Sequence, residues 1–514
     1  MEGRLKNNPD ERPNIILITC DDVNYELLLS SLDNLPNLKK VLDNGVNFTN
    51  AFSVGPGTVF SFPAIIGSIY PYHFGIGMEK GVKTIDIMLK GEGYNTAFIN
   101  EANAFLSPFF GYGEGTDYQE LFLSLSHSTW DRKSEGILLK TERRKRDKGD
   151  YLLKIYKKLP NNKLGNVIAH ICRSCYRVYR FLDLSLSHHF ETLQEREKLY
   201  NEFRGEITRF INYDFKSPQF LWIHTIINHL PYLPPEDTCF KQNTVNRLNH
   251  RGLSGLVTVK TAGRLKGLYI ESLKTLDGFV GQIINQLEKK DSLCDSIIIL
   301  TSDHGEEFME EGYFGHDPMS SSDRLLRVPL VFYSPCKFAK RTVSLPVSTI
   351  DILPTIASLL NLPIPDTARG TSLRGLIFDD VSASREETLL QRCLFSEAWV
   401  THGPLDRQPG SESDMSILTV RKGEYRLKVN MTQTLKPIKL ELHDWCQTKY
   451  LDIPGKKQIM EELLGLLLGH IYEEGKFYKQ IRKLNEAERI SHAVKSLKSA
   501  TQKGMTGKRK RERG

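Results

Sequence analysis

Short runs of apolar, β-branched residues recur along this chain and alternate with stretches of helical periodicity. The clearest run is Asn14–Thr19, and residues 265–289 carry apolar side chains at helical spacing. A continuous apolar run of this length is typical of a strand that is buried on both faces of a parallel sheet. Further runs of this kind are Thr96–Ile99, Gln219–Ile223, Ser296–Leu300 and Pro329–Phe332. The alternation predicts an α/β fold with a mostly parallel sheet flanked by helices.

Length and composition favour one large domain and a smaller one. The chain has 514 residues, of which 40% are hydrophobic and 25% charged, as in ordinary globular proteins. It has no apolar run of eighteen residues, so we predict no transmembrane helix. Residues 1–13 lack the layout of a signal peptide, which predicts a cytoplasmic location. The eight cysteines are scattered, so we predict no disulfide framework, and we interpret Cys172 and Cys175 as helical neighbours.

Two basic segments stand against an otherwise acidic chain of net charge +7. The first lies in a helix-prone stretch that we interpret as an insertion, about residues 125–215. Within it, Arg173, Arg177 and Arg180 would share one helix face. Such a face fits a solvated insertion, an anionic membrane surface or the approach to an anionic substrate, and we expect no specific nucleic-acid partner. The second segment, residues 496–514, is poor in large apolar groups and predicts a disordered basic tail.

Two strand-like runs end in groups that bind metal ions. Asp21 and Asp22 follow the first run, and Asp303 and His304 follow the run that starts at Ser296. Reactive groups gather at the carboxyl ends of strands in open α/β sheets. Carboxylates and imidazole together suit a divalent cation. One aspartate after a strand is often only a helix cap, but two such pairs predict a metal site.

A glycine-rich turn precedes a hydroxyl residue that can act as a nucleophile. In the stretch Gly55–Pro71, glycines and a proline come before Thr58, and an apolar helical segment follows. This arrangement would place Thr58 at a helix N-terminus, which favours an anion. A bound cation would lower the pKa of the hydroxyl and allow attack; capping of the helix is the alternative role. His229 lies in a proline-rich loop after a strand, where it can donate to an anionic substrate or a leaving group.

The ordered set of motifs resembles the sulfatases of the alkaline phosphatase superfamily. The loop His229–Pro235 resembles the family's HxPYxPP sequence. The other stretches that carry the resemblance are Arg12–Asp22, Thr301–Glu307, Gly315–Asp317, Arg327–Leu330 and Val347–Thr355. The resemblance implies an alkaline-phosphatase-like α/β domain over residues 1–380 and a smaller C-terminal α+β domain over residues 381–495.

The same resemblance implies roles for individual residues. The cation, expected to be Ca, Mg or Mn, would be held by Asp21, Asp22, Asp303 and His304. Thr58 would be the nucleophile and His229 would contact the substrate anion. Asn103 and His316 are candidates for the pocket wall, where they would bind the substrate.

The chain also departs from the family pattern. Sulfatases carry a CxPxR motif whose first residue is matured to formylglycine, whereas this chain has Thr58–Phe62, without the arginine. The family's lysine and histidine after the next strand align with Glu101 and Asn103. Threonine is the nucleophile in phosphate-handling relatives, including nucleotide pyrophosphatases and lipoteichoic acid synthases. We therefore expect a metal-dependent hydrolase of sulfate or phosphate esters; the alternatives are a phospho-group transferase of the same superfamily and a non-catalytic binding protein with the sulfatase fold.

Overall fold

The structure, a computed structural model, describes residues 12–72, 77–122, 129–130, 139–140, 193–253, 255, 257–401, 414–432, 437–444 and 455–511. Most of the basic insertion lies outside these residues, including Cys172, Cys175 and the arginine series for which a membrane surface was considered. Within the part of the chain that the structure describes, no helix is long and apolar enough to cross a bilayer.

Strands and helices alternate along the described residues up to about residue 390, and a group of strands and one long helix follow. The strands are β1 (Asn14–Cys20), β2 (Val46–Phe48), β3 (Ala51–Phe52), β4 (Asn95–Glu101), β5 (Tyr118–Phe122), β6 (Thr129–Trp130), β7 (Leu139–Lys140), β8 (Gln219–Thr225), β9 (Ser296–Ser302), β10 (Glu307–Phe308), β11 (Phe314–Gly315), β12 (Arg327–Val328), β13 (Leu330–Tyr333), β14 (Arg341–Val343), β15 (Val347–Ser348), β16 (Leu394–Thr401), β17 (Asp414–Lys422), β18 (Tyr425–Thr432) and β19 (Pro437–Asp444). The α-helices are α1 (Tyr25–Ser31), α2 (Pro36–Asn44), α3 (Thr58–Gly67), α4 (Ile85–Gly91), α5 (Leu193–Asn212), α6 (Gln242–Leu253), α7 (Val259–Lys289), α8 (Asp323–Leu326), α9 (Ile352–Leu359), α10 (Arg374–Phe378), α11 (Ala383–Leu390) and α12 (Lys456–Arg511).

The central sheet has the strand order β14-β2-β13-β9-β1-β8-β4-β5. Strand β1 lies in its interior and pairs in parallel with both β8 and β9. The parallel pairing continues outward through β4 to β5. Strand β13 runs antiparallel to β9 and β2. The sheet is therefore mixed but mostly parallel, and the predicted fold class is confirmed.

Two hydrophobic clusters cover the two faces of this sheet. Ile16 and Ile18 of β1 belong to one cluster, and Ile15 and Leu17 belong to the other, as the alternation of side chains along a strand requires. Helices α5 and α7 pack in the first cluster, and α3, α4 and α9 pack in the second. Because α5 buries the face that includes Phe203, residues 193–212 belong to the helical layer of the core and not to an appended insertion.

The last part of the chain forms an antiparallel sheet in the order β16-β17-β18-β19, with α12 packed on it. Leu463 and Leu467 of α12 are buried against Leu427 and Leu442 of the sheet. This is the small α+β unit that the resemblance implied, although the boundary near residue 380 stays a prediction. Helix α12 continues to Arg511, so the structure is helical where a disordered tail was predicted.

One disulfide joins the loops that flank β9 and β13. Cys294 and Cys336 are bonded, with their Cα atoms 5.1 Å apart. Cys20, Cys239 and Cys393 are free thiols. The scattered spacing of the cysteines gave no sign of this disulfide among the residues that the structure describes. The two cysteines are distant in sequence but lie close together because β9 and β13 are neighbouring strands.

Candidate active site

The two acidic pairs lie side by side because the strands that carry them are neighbours in register. Cys20, the last residue of β1, pairs with Ser302, the last residue of β9. The backbone N–H of Asp303 donates to the carbonyl of Cys20 at 3.1 Å. On the other side, the N–H of Asp21 donates to the carbonyl of Thr225 at the end of β8, at 2.9 Å. Three strand ends therefore meet at one edge of the sheet.

His304 lies at the centre of the acidic cluster. Its Nε2 is 3.4 Å from Oδ2 of Asp303 and 3.6 Å from Oδ1 of Asp21. Its Nδ1 is 2.9 Å from Oδ1 of Asp22. The ligand atoms of Asp21, Asp303 and His304 lie within 4.8 Å of one another. Asp22 lies on the opposite side of the imidazole ring. It therefore does not share one metal-binding position with these three residues, whereas the sequence predicted that all four would hold the same cation.

Two further histidines extend the cluster on the Asp22 side. Nδ1 of His316 lies 3.2 Å from Oδ1 of Asp22. Nε2 of His229 lies 3.9 Å from Oδ2 of the same carboxylate. Asp22, His304 and His316 form a second set of potential ligands, and Asp21, Asp22 and His229 form a third. The four predicted ligands and the two histidines thus make one continuous cluster.

Thr58 begins α3 and points at this cluster. Its Oγ1 donates to Oδ2 of Asp303 at 3.0 Å and lies 3.5 Å from Nε2 of His304. Gly57 precedes it as the N-cap residue in extended conformation. The turn needs a glycine at position 55, because a Cβ there would lie 2.2 Å from the Cβ of Phe60. The glycine-rich turn therefore places the hydroxyl at the helix N-terminus, as the sequence predicted.

The charges of the cluster are those of a cation site. Burial and the charge of Asp21 raise the pKa of Asp303 to about 7. Burial opposes protonation of His304, yet the carboxylates of Asp303 and Asp22 raise its pKa to about 10. Oδ1 of Asp21 and Oδ2 of Asp22 are buried without a hydrogen-bond partner. Buried carboxylate oxygens of this kind are costly unless a cation satisfies them, so the donor set fits a divalent metal ion.

A cavity of about 580 Å³ opens above the cluster, a size that is ordinary for a small-molecule site. Its lining residues are Asp21, Gly57, Thr58, Val59, Phe60, Ala102, Asn103, Ala104, Phe105, Ile226, His229, His316 and Pro318. The three predicted substrate contacts, Asn103, His229 and His316, are all among them. Nδ2 of Asn103 also donates to Oδ2 of Asp21 at 3.1 Å, so the pocket wall touches the acidic cluster directly.

Several residues of the site were not assigned a role from the sequence. His224 is fully buried, with its Nε2 3.2 Å from Nδ2 of Asn103 and 3.6 Å from Oδ2 of Asp21. Glu101 turns away from the cavity and accepts hydrogen bonds from the hydroxyl of Thr225 and the N–H of Ile226. The aromatic wall, Phe60 and Phe105, was also missed. Its only sequence signal is that each phenylalanine lies two residues after a site residue.

Comparison with known proteins agrees with this architecture. The family model described as Sulfatase matches residues 13–362. The arylsulfatase of Clostridium perfringens is 25% identical over 410 residues, which cover 73% of this chain and 80% of that protein. Arylsulfatase K of Gallus gallus is 24% identical over 390 residues, covering 72% and 67% respectively.

Among solved structures, a phosphonate monoester hydrolase from Silicibacter pomeroyi has the same fold. The match has a TM-score of 0.60 at 16% identity and covers 90% of this chain and 96% of the other. The segment that the family model matches, residues 13–362, includes every residue of the cluster described above. The chain belongs to the sulfatase family of the alkaline phosphatase superfamily, a family of ester hydrolases.

Proposed function

We propose that this protein is a metal-dependent hydrolase of sulfate or phosphate esters in which Thr58 is the nucleophile. One observation carries the proposal: Oγ1 of Thr58 lies on the lining of the cavity and donates to Asp303, beside His304. A hydroxyl at a helix N-terminus, next to a donor set for a cation, has what attack on an anionic ester requires.

The residues that would hold the cation are Asp21, Asp303 and His304, with Asp22 on the far side of the imidazole. Three carboxylates and one imidazole suit Ca, Mg or Mn. When bound, the cation would lower the pKa of the Thr58 hydroxyl and neutralise charge on the ester oxygens.

The protein groups around the hydroxyl have separate tasks in this proposal. Asp303 accepts the hydrogen bond of Thr58 and so fixes the direction of Oγ1. The N-terminus of α3 favours the anionic group of the ester. His229 and His316, whose side chains are 34% and 39% exposed, are placed to donate to its oxygens and to protonate the departing alcohol. Asn103 fixes the orientation of Asp21 through the hydrogen bond to Oδ2.

The reaction has two displacement steps. In the first, the Thr58 hydroxyl gives up its proton as the bond from Oγ1 to phosphorus or sulfur forms, the bond from that atom to the alcohol oxygen breaks, and the alcohol leaves with a proton donated by His229 or His316. In the second, water attacks the same atom and the bond to Oγ1 breaks; a proton from the water restores the Thr58 hydroxyl, and the inorganic anion is released. A formylglycine diol can expel sulfate by collapsing to the aldehyde, but a threonine ester has no such route. We therefore expect phosphate esters to be hydrolysed at least as well as sulfate esters.

The test is an assay of the purified full chain with an aryl sulfate, the matched aryl phosphate and an aryl phosphate diester, each with Ca, Mg, Mn and Zn. We expect metal-dependent release of the phenol, with the phosphate turned over at least as fast as the sulfate. A clear preference for the sulfate would contradict the role of an unmodified threonine. Release of phenol without matching inorganic phosphate, in the presence of an added alcohol, would identify a transferase. No hydrolysis under any condition would favour a binding protein.

A further inference from the structure

The cavity is lined by two chemically different sets of residues. The polar set includes the anion-handling groups Thr58, Asn103, His229 and His316. The apolar set is Val59, Phe60, Ala104, Phe105, Ile226 and Pro318. Among the lining residues that the structure describes, none is a lysine or an arginine.

Three basic side chains near the cavity walls donate hydrogen bonds to backbone carbonyls. Arg196 donates to the carbonyl of Ile226 at 2.6 Å and is itself buried. Nζ of Lys428 donates to the carbonyl of Ser320 at 2.8 Å. Arg426 donates to the carbonyl of Ser321 at 2.6 Å. These cations hold the backbone behind the pocket, so they do not offer a site for a second anionic group of a ligand.

Phe105 projects from a wall whose backbone is firmly held. The residue is 48% exposed and lies on a short 3₁₀ turn. The N–H of Phe105 donates to Oδ1 of Asn103 at 3.2 Å. The side chain of Asn100 donates to the carbonyls of Asn103 and Leu106. Asn103 therefore contacts Asp21 with one end of its amide and fixes the turn that carries Phe105 with the other.

Phe60 forms the second aromatic wall, two residues after Thr58. It is 6% exposed and packs edge to face on Trp399, with the ring centroids 4.6 Å apart. Ala398 and Ile417 complete a small hydrophobic cluster behind it. Phe60 is thus a fixed surface within one helical turn of the nucleophile, whereas Phe105 is partly free to pack on a ligand.

We infer that the alcohol part of the substrate is uncharged, apolar and preferably aromatic, and that Phe105 selects it. The inference rests on the proposed function, because it assigns the ester group to the polar lining residues. An aromatic ring packed on Phe105 would remove apolar surface from water. A hydroxyl-rich sugar or a second anionic group packed there would lose hydration without gaining a partner among the described lining residues. Polyanionic glycan esters are accordingly expected to be poor substrates.

The first test compares kcat/KM for benzyl phosphate, 4-carboxybenzyl phosphate and glucose 6-phosphate, all esters of primary alcohols. We expect benzyl phosphate to be preferred by roughly tenfold or more, as burial of one ring in a pocket allows. Phe105→Ala should raise the KM for benzyl phosphate roughly fivefold, while Phe105→Leu keeps most of the affinity. Tyr472→Ala, which changes an exposed aromatic outside the cavity, should alter nothing. Equal turnover of the three esters, or an unchanged KM in Phe105→Ala, would overturn the inference.

A binding measurement keeps the inference separate from the proposed chemistry. Calorimetry with phenylphosphonate and methylphosphonate, neither of which is hydrolysed, reports affinity without turnover. Phenylphosphonate should bind roughly tenfold more tightly to the wild type, and Phe105→Ala should remove most of that difference. If no ester is hydrolysed but this difference is found, the hydrolase proposal fails and the apolar specificity stands. Equal affinities for the two phosphonates would refute the specificity whatever the activity.

Discussion

Oγ1 of Thr58 lies 3.0 Å from Oδ2 of Asp303, although the two residues are 245 positions apart in the chain. Thr58 is placed by the N-terminus of α3, and Asp303 by the end of β9. Strand β9 is paired in register with β1, and the hydroxyl also lies 3.5 Å from Nε2 of His304, which is 3.6 Å from Oδ1 of Asp21. The position of the proposed nucleophile relative to the proposed metal ligands is therefore set by the central sheet and not by a flexible loop.

Replacement of Thr58 should separate catalysis from metal binding. Thr58→Ala removes the hydroxyl, so kcat should fall by about 10³-fold or more. Thr58→Ser keeps a hydroxyl and should retain part of the activity. Steady-state kinetics with an aryl phosphate measures both, and the metal-induced rise in Tm serves as the folding control, because it should be unchanged in both variants. Full activity of Thr58→Ala would show that another group attacks the ester.

Metal removal should destabilise the protein. Without a cation, the carboxylates of Asp21, Asp22 and Asp303 repel one another in a buried site. A ligand at 100 times its Kd adds about 2.7 kcal/mol to the free energy of unfolding, so chelation should lower Tm and added metal should restore it. Asp303→Asn should abolish this metal-dependent shift in Tm. Asp214→Asn, whose carboxylate is exposed, is the matched control and should keep the shift; a shift that survives in Asp303→Asn would contradict the assignment.

Glu307 should make stability depend on pH. Burial raises its pKa to about 7, although Ser320 and Ser322 favour the charged form. The folded state binds this proton more tightly than the unfolded state. The resulting contribution to the free energy of unfolding is therefore present at low pH and is lost as pH rises from about 4.5 to about 7. Glu307→Gln has no charge to bury, so its stability relative to wild type should increase over this range by up to about 3 kcal/mol.

Urea unfolding at about pH 5 and about pH 8 measures this difference. Glu473→Gln, which changes an exposed glutamate, is the control and should follow the wild type at both values. A constant difference between Glu307→Gln and wild type would mean that Glu307 is ionised in the folded protein throughout.

Asp323 should be important for stability because it joins the C-terminal sheet to the segment after His316. It pairs with Arg421 and Arg426, two side chains that are 6% exposed. Asp323→Asn would remove the carboxylate charge that faces both guanidinium groups. The free energy of unfolding should fall by about 2 kcal/mol. This loss is smaller than for a fully buried pair because the carboxylate is 35% exposed. Asp379→Asn, which breaks a pair with a largely exposed carboxylate, should cost less than about 1 kcal/mol. Equal costs in urea unfolding would contradict the role of the buried arginines.

The sequence was sufficient to predict the mostly parallel sheet and the meeting of the two acidic pairs at its edge. Apolar runs such as Asn14–Thr19 are typical of strands buried on both faces, and parallel strands end at one edge, where the residues that follow them meet. The arrangement of the side chains within the acidic cluster could not be predicted from the sequence. Asp22 has a φ of 64°, and its carboxylate lies on the Nδ1 side of His304. Residue spacing does not encode a single left-handed residue of this kind.

The structure differs from the predicted organisation at two places, and both differences have physical causes. Residues 193–212 were grouped with the insertion because their neighbours are basic. The helical spacing of Phe203, Ile207, Phe210 and Ile211, all buried, was the signal of a core helix. The end of α12 was predicted to be disordered because it is basic and has few large apolar groups. Its lysine and arginine residues are good helix formers that can extend an existing helix, although Gly504 and Gly507 disfavour one. The position of Phe105 in the cavity wall depends on a turn that Asn103 ties to Asp21, a residue distant in sequence.

The central claim, covalent attack by Thr58, is tested most directly by the stereochemistry at phosphorus. A thiophosphate monoester whose two non-bridging oxygens are different isotopes is hydrolysed by the wild type in water of the third stable oxygen isotope, and the configuration of the released inorganic thiophosphate is determined. Two successive in-line displacements, first by Thr58 and then by water, predict net retention of configuration. Net inversion would mean that water attacks the ester in a single step, which would contradict the account.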